Sequence, residues 1–136
     1  MAGLLSGCST DTEYLPVLLD DPMASYQADG IHLIEKQESG RGTSPVTGKV
    51  EYAEVSRRYE LEDPSQASQV LDEAVSYAAS HGWTIGENDP YEASTGALVV
   101  SATREVDWGV ARLDIAVGPS VEEPGTLSRL LIIIQE

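Results

Sequence analysis

A chain of 136 residues can bury one core without disulfide or metal staples and is short for two ordinary domains. Its 23 acidic and 8 basic residues give a net charge of −15; nucleic-acid phosphates and anionic lipid head groups repel such a surface, which argues against a nucleic-acid partner. With no Phe, the core must rest on Leu, Ile, Val and Ala together with Trp83 and Trp108.

The chain opens on Leu4-Leu5-Ser6-Gly7-Cys8, followed by the polar Ser9-Thr10-Asp11-Thr12-Glu13. Leu, a small residue, Gly and Cys resembles the lipobox of bacterial lipoproteins, which is cut before the cysteine, whose thiol then carries a diacylglycerol. Only small side chains fit a signal-peptidase pocket. The resemblance implies lipidation of Cys8, with residues 1–7 as a residual signal segment and the domain anchored on the extracytoplasmic face of the cell membrane. A secretory signal has a basic n-region and about 7–15 apolar residues, whereas only Met1-Ala2-Gly3-Leu4 precede the box. Either the start lies inside a longer hydrophobic region or the segment is an ordinary frayed terminus with an unreactive thiol. Expressed as written, the chain is expected to stay cytoplasmic and unlipidated. Cys8 is the single cysteine, so no intramolecular disulfide holds the fold.

Residues 8–29 read as a polar tether and entry segment, and residues 30–136 as a single domain. Within the entry segment, Tyr14 to Leu19 is apolar but interrupted by Pro16, and Asp20-Asp21-Pro22 breaks it again. Ile31-His32-Leu33-Ile34 reads as a short strand, ended by the Gly- and Pro-containing loop Glu38 to Pro45. Ala53, Val55, Tyr59 and Leu61 alternate with Glu54, Ser56, Arg58 and Glu60, the period of a half-buried strand. Arg57 interrupts its apolar face and is expected near an edge.

Asp63-Pro64 opens a helix expected from Pro64 to His81, with the Asp side chain capping free donors and Pro at the first helical position. Ala67, Val70, Leu71, Ala74 and Ala78 recur at three- and four-residue spacing as one apolar stripe, and Gly82 suits the left-handed turn that ends a helix. Strands follow at Trp83 to Ile85, Ala97 to Val106, Val110 to Val117 and Leu127 to Gln135. Glu87-Asn88-Asp89-Pro90 is turn chemistry, and Asp107-Trp108-Gly109 a tight hairpin. Leu130-Leu131-Ile132-Ile133-Ile134 is apolar on both faces, as in a strand covered on both sides.

This order predicts an α+β fold, an antiparallel sheet of four to five strands with one long helix packed on one face. From about Lys49 onward it resembles the cystatin-like and related helix-on-sheet folds in topology alone, because the Gln-x-Val-x-Gly inhibitory loop of cystatins is missing. Arg57-Arg58-Tyr59, the Ala-rich run Ala74 to Ala79 and Gly82-Trp83, taken with the lipobox, are similar to a pattern in small lipoproteins of high-GC Gram-positive bacteria. That family has no assigned reaction to transfer.

The chemistry-bearing residues are few. A hydrolase nucleophile needs an adjacent base, most often His. Of the two histidines, His81 sits in the last helical turn, where it suits free carbonyls and the helix dipole, and His32 is expected to face solvent. No nucleophile elbow, phosphate loop or Cys-x-x-Cys is present. The Glu87-Asn88-Asp89 turn with Glu92 has oxygen ligands for calcium but lacks the alternating Asp loop with its Gly, so neither a metal nor another cofactor is expected. Arg58, Arg112 and Arg129 are expected to face away from the helix beside Glu54, Glu60 and Asp114, either as cross-strand ion pairs or as a small anion site.

The expected function is therefore a non-enzymatic cell-envelope lipoprotein presenting a small domain for protein–protein interaction, bound to the membrane through lipidated Cys8. Alternatives are a carrier of a small apolar or lipid-like ligand between helix and sheet, and a carboxylate-only glycan-cleaving enzyme. Because one helix covers one face, either Leu131 and Ile133 or their neighbours Leu130, Ile132 and Ile134 point away from it. The candidate interface is Leu131 and Ile133, covered by Tyr14 to Leu19 folding back, by a second copy in a homo-oligomer, or by an envelope protein.

Overall fold

The computed structural model describes residues 11–40, 42–43, 50–86, 91–92, 96–120, 122 and 125–136. Alternation of apolar and polar residues generates the long strands: β1 (Ile31–Ser39), β4 (Glu54–Leu61), β7 (Leu98–Val106), β8 (Gly109–Pro119) and β9 (Leu127–Gln135). Four two-residue strands complete the set: β2 (Gly42–Thr43), β3 (Val50–Glu51), β5 (Thr84–Ile85) and β6 (Tyr91–Glu92). The main sheet is antiparallel in the order β1-β4-β9-β8-β7-β5, with β6 also on β7, while β2 and β3 form a separate hairpin. The α+β class holds, and the sheet exceeds the four to five strands expected. The strand from Ile31 runs on to Ser39 because backbone pairing with β4 continues past the apolar residues, and the two-residue strands carry too little pattern to read.

Asp63 accepts from the backbone N–H of Ser65 at 3.0 Å and starts a 3₁₀ turn, Pro64–Gln66, which leads into α2 (Ala67–Ser80). Gly82 adopts φ +97°, and Trp83 N–H returns to the Ala78 carbonyl at 3.1 Å, the long bond of a Schellman ending. The buried stripe of α2 is Ala67, Val70, Leu71, Ala74 and Ala78. Three alanines on that stripe let the helix backbone come close to the sheet. Facing it are Leu113, Ile115 and Val117 of β8 and Leu130, Ile132 and Ile134 of β9, all fully buried.

The segment expected to be a tether is core in its second half. Helix α1 (Asp11–Leu19) and the 3₁₀ turn Pro22–Ser25 put Leu18, Met23, Ala24 and Tyr26 into the same buried cluster as α2. Asp21 repeats the Asp-Pro device of the helix start, accepting from Met23 N–H at 2.9 Å. The Asp21 carboxylate, itself buried, also accepts from Trp83 Nε1 at 3.1 Å and from Arg104 Nη1.

Arg57 lies inside the sheet rather than at an edge, since β4 pairs with both β1 and β9. Its buried guanidinium donates to the carbonyls of Ala24 (2.8 Å) and Ser56 (2.9 Å) and reaches Glu38 at 2.8 Å. A charge can be buried when each donor finds an acceptor. Beside it, the Tyr59 hydroxyl donates to the Tyr26 carbonyl at 2.7 Å. Burial, only partly offset by the nearby Arg57 charge, pushes its pKa up to about 12, so the phenol remains a donor.

Candidate functional site

Every structural layer packed on the main sheet lies on one face among the described residues. The contacts of Arg57, Tyr59, Asp21 and Trp83 bring residues 18–26 onto the α2 side. Tyr14 to Leu19 therefore folds back, but onto the face opposite Leu131 and Ile133.

On the remaining face, strand register sets the neighbours. Leu131 lies between Arg58 and Ala116, and Ile133 between Ser56 and Asp114. Both are half-buried, whereas Leu130, Ile132 and Ile134 on the opposite face are fully buried. Arg58, Arg112 and Arg129 project on this open face with Glu54, Glu60 and Asp114, in the register that alternation predicts. Arg58 pairs with Glu35 at 2.6 Å and Asp114 accepts from Ser101 at 2.6 Å, so part of the set is cross-strand pairing. Arg129 is held more loosely: its Nη2 is 3.6 Å from Glu122, and its buried Nε has no partner. Arg112 makes no ion pair with a described residue.

The histidines serve structure. His81 Nδ1 lies 2.7 Å from the Tyr77 carbonyl and 3.0 Å from Ser80 Oγ, and its ring stacks on Tyr77 at 4.1 Å. A carbonyl only accepts, so Nδ1 carries the proton and cannot serve as a base for Ser80. His32 faces solvent and binds Glu62 through Nε2 at 2.6 Å. Trp83 is core, and Trp108 packs at the β7–β8 hairpin against Tyr14, with ring centroids 5.0 Å apart.

Carboxylates gather elsewhere. Asp29, Glu62, Asp63, Asp72 and Glu73 line a groove of about 740 Å³ between α2 and residues 26–30. Tyr26 also lines it, and burial and then the Glu73 charge raise its pKa. Among the described residues no His, Cys, Asp and Glu cluster could hold a metal ion. Cys8 and the Glu87-Asn88-Asp89 turn lie outside the described residues, as does the side chain of Glu92. No helix among the described residues is long and apolar enough to cross a membrane.

Asp21 and Arg57 were not legible as organising residues. The available signal was the repeated Asp-Pro step, since Asp21-Pro22 and Asp63-Pro64 begin the same kind of turn. Comparison with protein families, with curated proteins and with solved structures finds no match to this chain.

Proposed function

We propose that the chain is a non-enzymatic cell-envelope lipoprotein, lipidated at Cys8, whose open sheet face binds another envelope protein or a second copy of itself. The observation that carries the reading is the asymmetry of the sheet. One face is covered by α1, α2 and the 3₁₀ turn Pro22–Ser25, while Leu131 and Ile133 occupy the centre of the other with no covering layer among the described residues. A contiguous apolar patch on an exposed face marks an interaction surface, whereas scattered single side chains do not; Leu131 and Ile133 are neighbours on one face of β9. Close packing between α2 and the sheet, with Ala74 and Ala78 fully buried against it, favours this over a carrier holding its ligand between the two layers.

Two experiments test the proposal. Lys at both Leu131 and Ile133 is expected to weaken association while leaving the helix-side core unchanged. Sedimentation of parent and double variant measures this, and equal association with the fold intact removes the open face as the interface. Cys8→Ala in the natural full-length precursor is expected to release the protein from membranes with its fold unaltered. A single acyl chain anchors only marginally, so the two chains of a diacylglycerol account for retention. Unchanged membrane retention in cell fractionation overturns the lipid anchor.

A further inference from the structure

The open face contains a hollow that strand register explains. Across one row stand Glu60, Arg129 and Gly118, and across the next Arg58, Leu131 and Ala116. Ala97 closes on Gly118 from the side of β7, where a Cβ added to Gly118 would stand 3.1 Å from the Ala97 Cβ. Three small residues, Ala97, Ala116 and Gly118, thus lie among the longer Arg58, Arg129 and Leu131. The difference in side-chain length leaves a depression of about 530 Å³, walled on one side by Pro119, Ser120 and Glu122. That volume falls in the range of small-ligand sites, roughly 300–1,000 Å³.

Its chemistry is two-sided. Its apolar lining is methyl and methylene surface, Ala97 and Ala116 at the base with Leu131 and Pro119 beside them. At its margin the Arg129 guanidinium keeps a buried, unpartnered Nε and only a 3.6 Å contact to Glu122, whose side chain is largely in solvent. Glu60, directly across the ladder, makes no ion pair with it. The Nε is closed to solvent, but about a quarter of the side chain is exposed, and the terminal nitrogens of the planar fork can meet a carboxylate through two parallel hydrogen bonds. Arg58 adds a second positive group, although Glu35 already neutralises it in part. An apolar floor beside an unsatisfied guanidinium fits neither a bare ion nor a neutral hydrocarbon.

The geometry points to a binding site for a small amphipathic monocarboxylate, its carboxylate on Arg129 and its short apolar chain across Ala97, Ala116 and Leu131. The inference uses the exposure of this face but neither lipidation nor a protein partner.

The test is a titration of the full-length chain followed by amide NMR, with hexanoate as the probe. Saturable shifts at residues 116–120 and 129–131 are expected from hexanoate. Acetate, which lacks the chain, and hexan-1-ol, which lacks the charge, are expected to produce much smaller shifts at the same concentration. Arg129→Gln should weaken hexanoate by about tenfold or more, the scale of one lost charge-assisted pair. Gly118→Val should do the same by filling the hollow, and reads the site independently should Arg129→Gln not fold. Absence of saturation, an equal response to acetate or hexan-1-ol, or parent-like affinity in either folded variant overturns the site. Because sedimentation of the Leu131 and Ile133 double variant reads the protein interface separately, failure of hexanoate binding leaves that reading standing.

Discussion

Asp21→Ala is expected to destabilise the domain by about 3 kcal/mol, read as a shift in the midpoint of urea unfolding with little change in slope. The carboxylate joins three separate parts of the chain: the turn after α1 through Met23 N–H, the segment just beyond the end of α2 through Trp83 Nε1, and β7 through Arg104. A buried ion pair adds little over an apolar replacement, but deleting one partner strands the other. Here the loss would leave the Met23 and Trp83 donors without an acceptor and Arg104 Nη1 with only its longer contact to the His81 carbonyl at 3.4 Å. Arg104 keeps about a third of its side chain in solvent, which holds the cost near the lower end of the usual range. Asp21→Asn should recover at most about half of the loss. Both carboxylate oxygens accept, Oδ2 from Met23 and Trp83 and Oδ1 from Arg104, so an amide must turn its NH₂ toward a donor. Full recovery by Asn would mean that charge and acceptor number at this position do not matter.

Ala74→Asp is expected to cost several kcal/mol at neutral pH, since Ala74 is fully buried on the stripe of α2 that faces the sheet. The residues of β8 and β9 that face the stripe are apolar apart from the buried hydroxyl of Ser128, too little to solvate a carboxylate. The penalty should also depend on pH in a defined direction. Burial raises the folded-state pKa of the introduced carboxyl above its unfolded value, so the variant binds a proton more tightly when folded. Relative to the parent, the deficit is therefore smallest below about pH 4 and grows as pH rises through the folded-state pKa. Denaturant unfolding of both proteins at acidic and neutral pH measures it. A loss within about half a kcal/mol, typical of surface positions, would mean that the stripe does not face the sheet.

Both substitutions fall on the helix side of the molecule, and they differ in how visible their sites were in the chain. Ala74 belongs to a repeat of period 3.6, and each residue of that stripe carries its own evidence of burial. The α+β class, the span of α2, its Asp-Pro start and Gly82 ending follow from the same kind of local signal. So do the β8 alternation and the outward direction of Arg58, Arg112 and Arg129, whereas the apolar run of β9 left open whether Leu131 and Ile133 or their neighbours face away. Side-chain period and capping chemistry act over a few residues, and the sequence carries them directly.

Asp21 and Arg57 look like interruptions in the chain because their partners are remote: Trp83 and Arg104 for one, Ala24 and Glu38 for the other. A polar residue on an apolar face reads as exposed or misplaced until the acceptor that satisfies it is known. The same distance in sequence hid the packing of Leu18 and Met23, whose segment is broken by Pro16 and by Asp20-Asp21-Pro22 and shows no period.

The sequence by itself determined the fold class, the long helix, the main strands and which side chains share a face. Tertiary structure alone decided that residues 14–26 join α2 on one face and leave the other open. It also decided that Gly118 and Ala116 stand beside Arg129 to make a hollow. The physical reason is that periodicity specifies direction within an element, whereas strand order and long-range hydrogen bonds specify which elements meet.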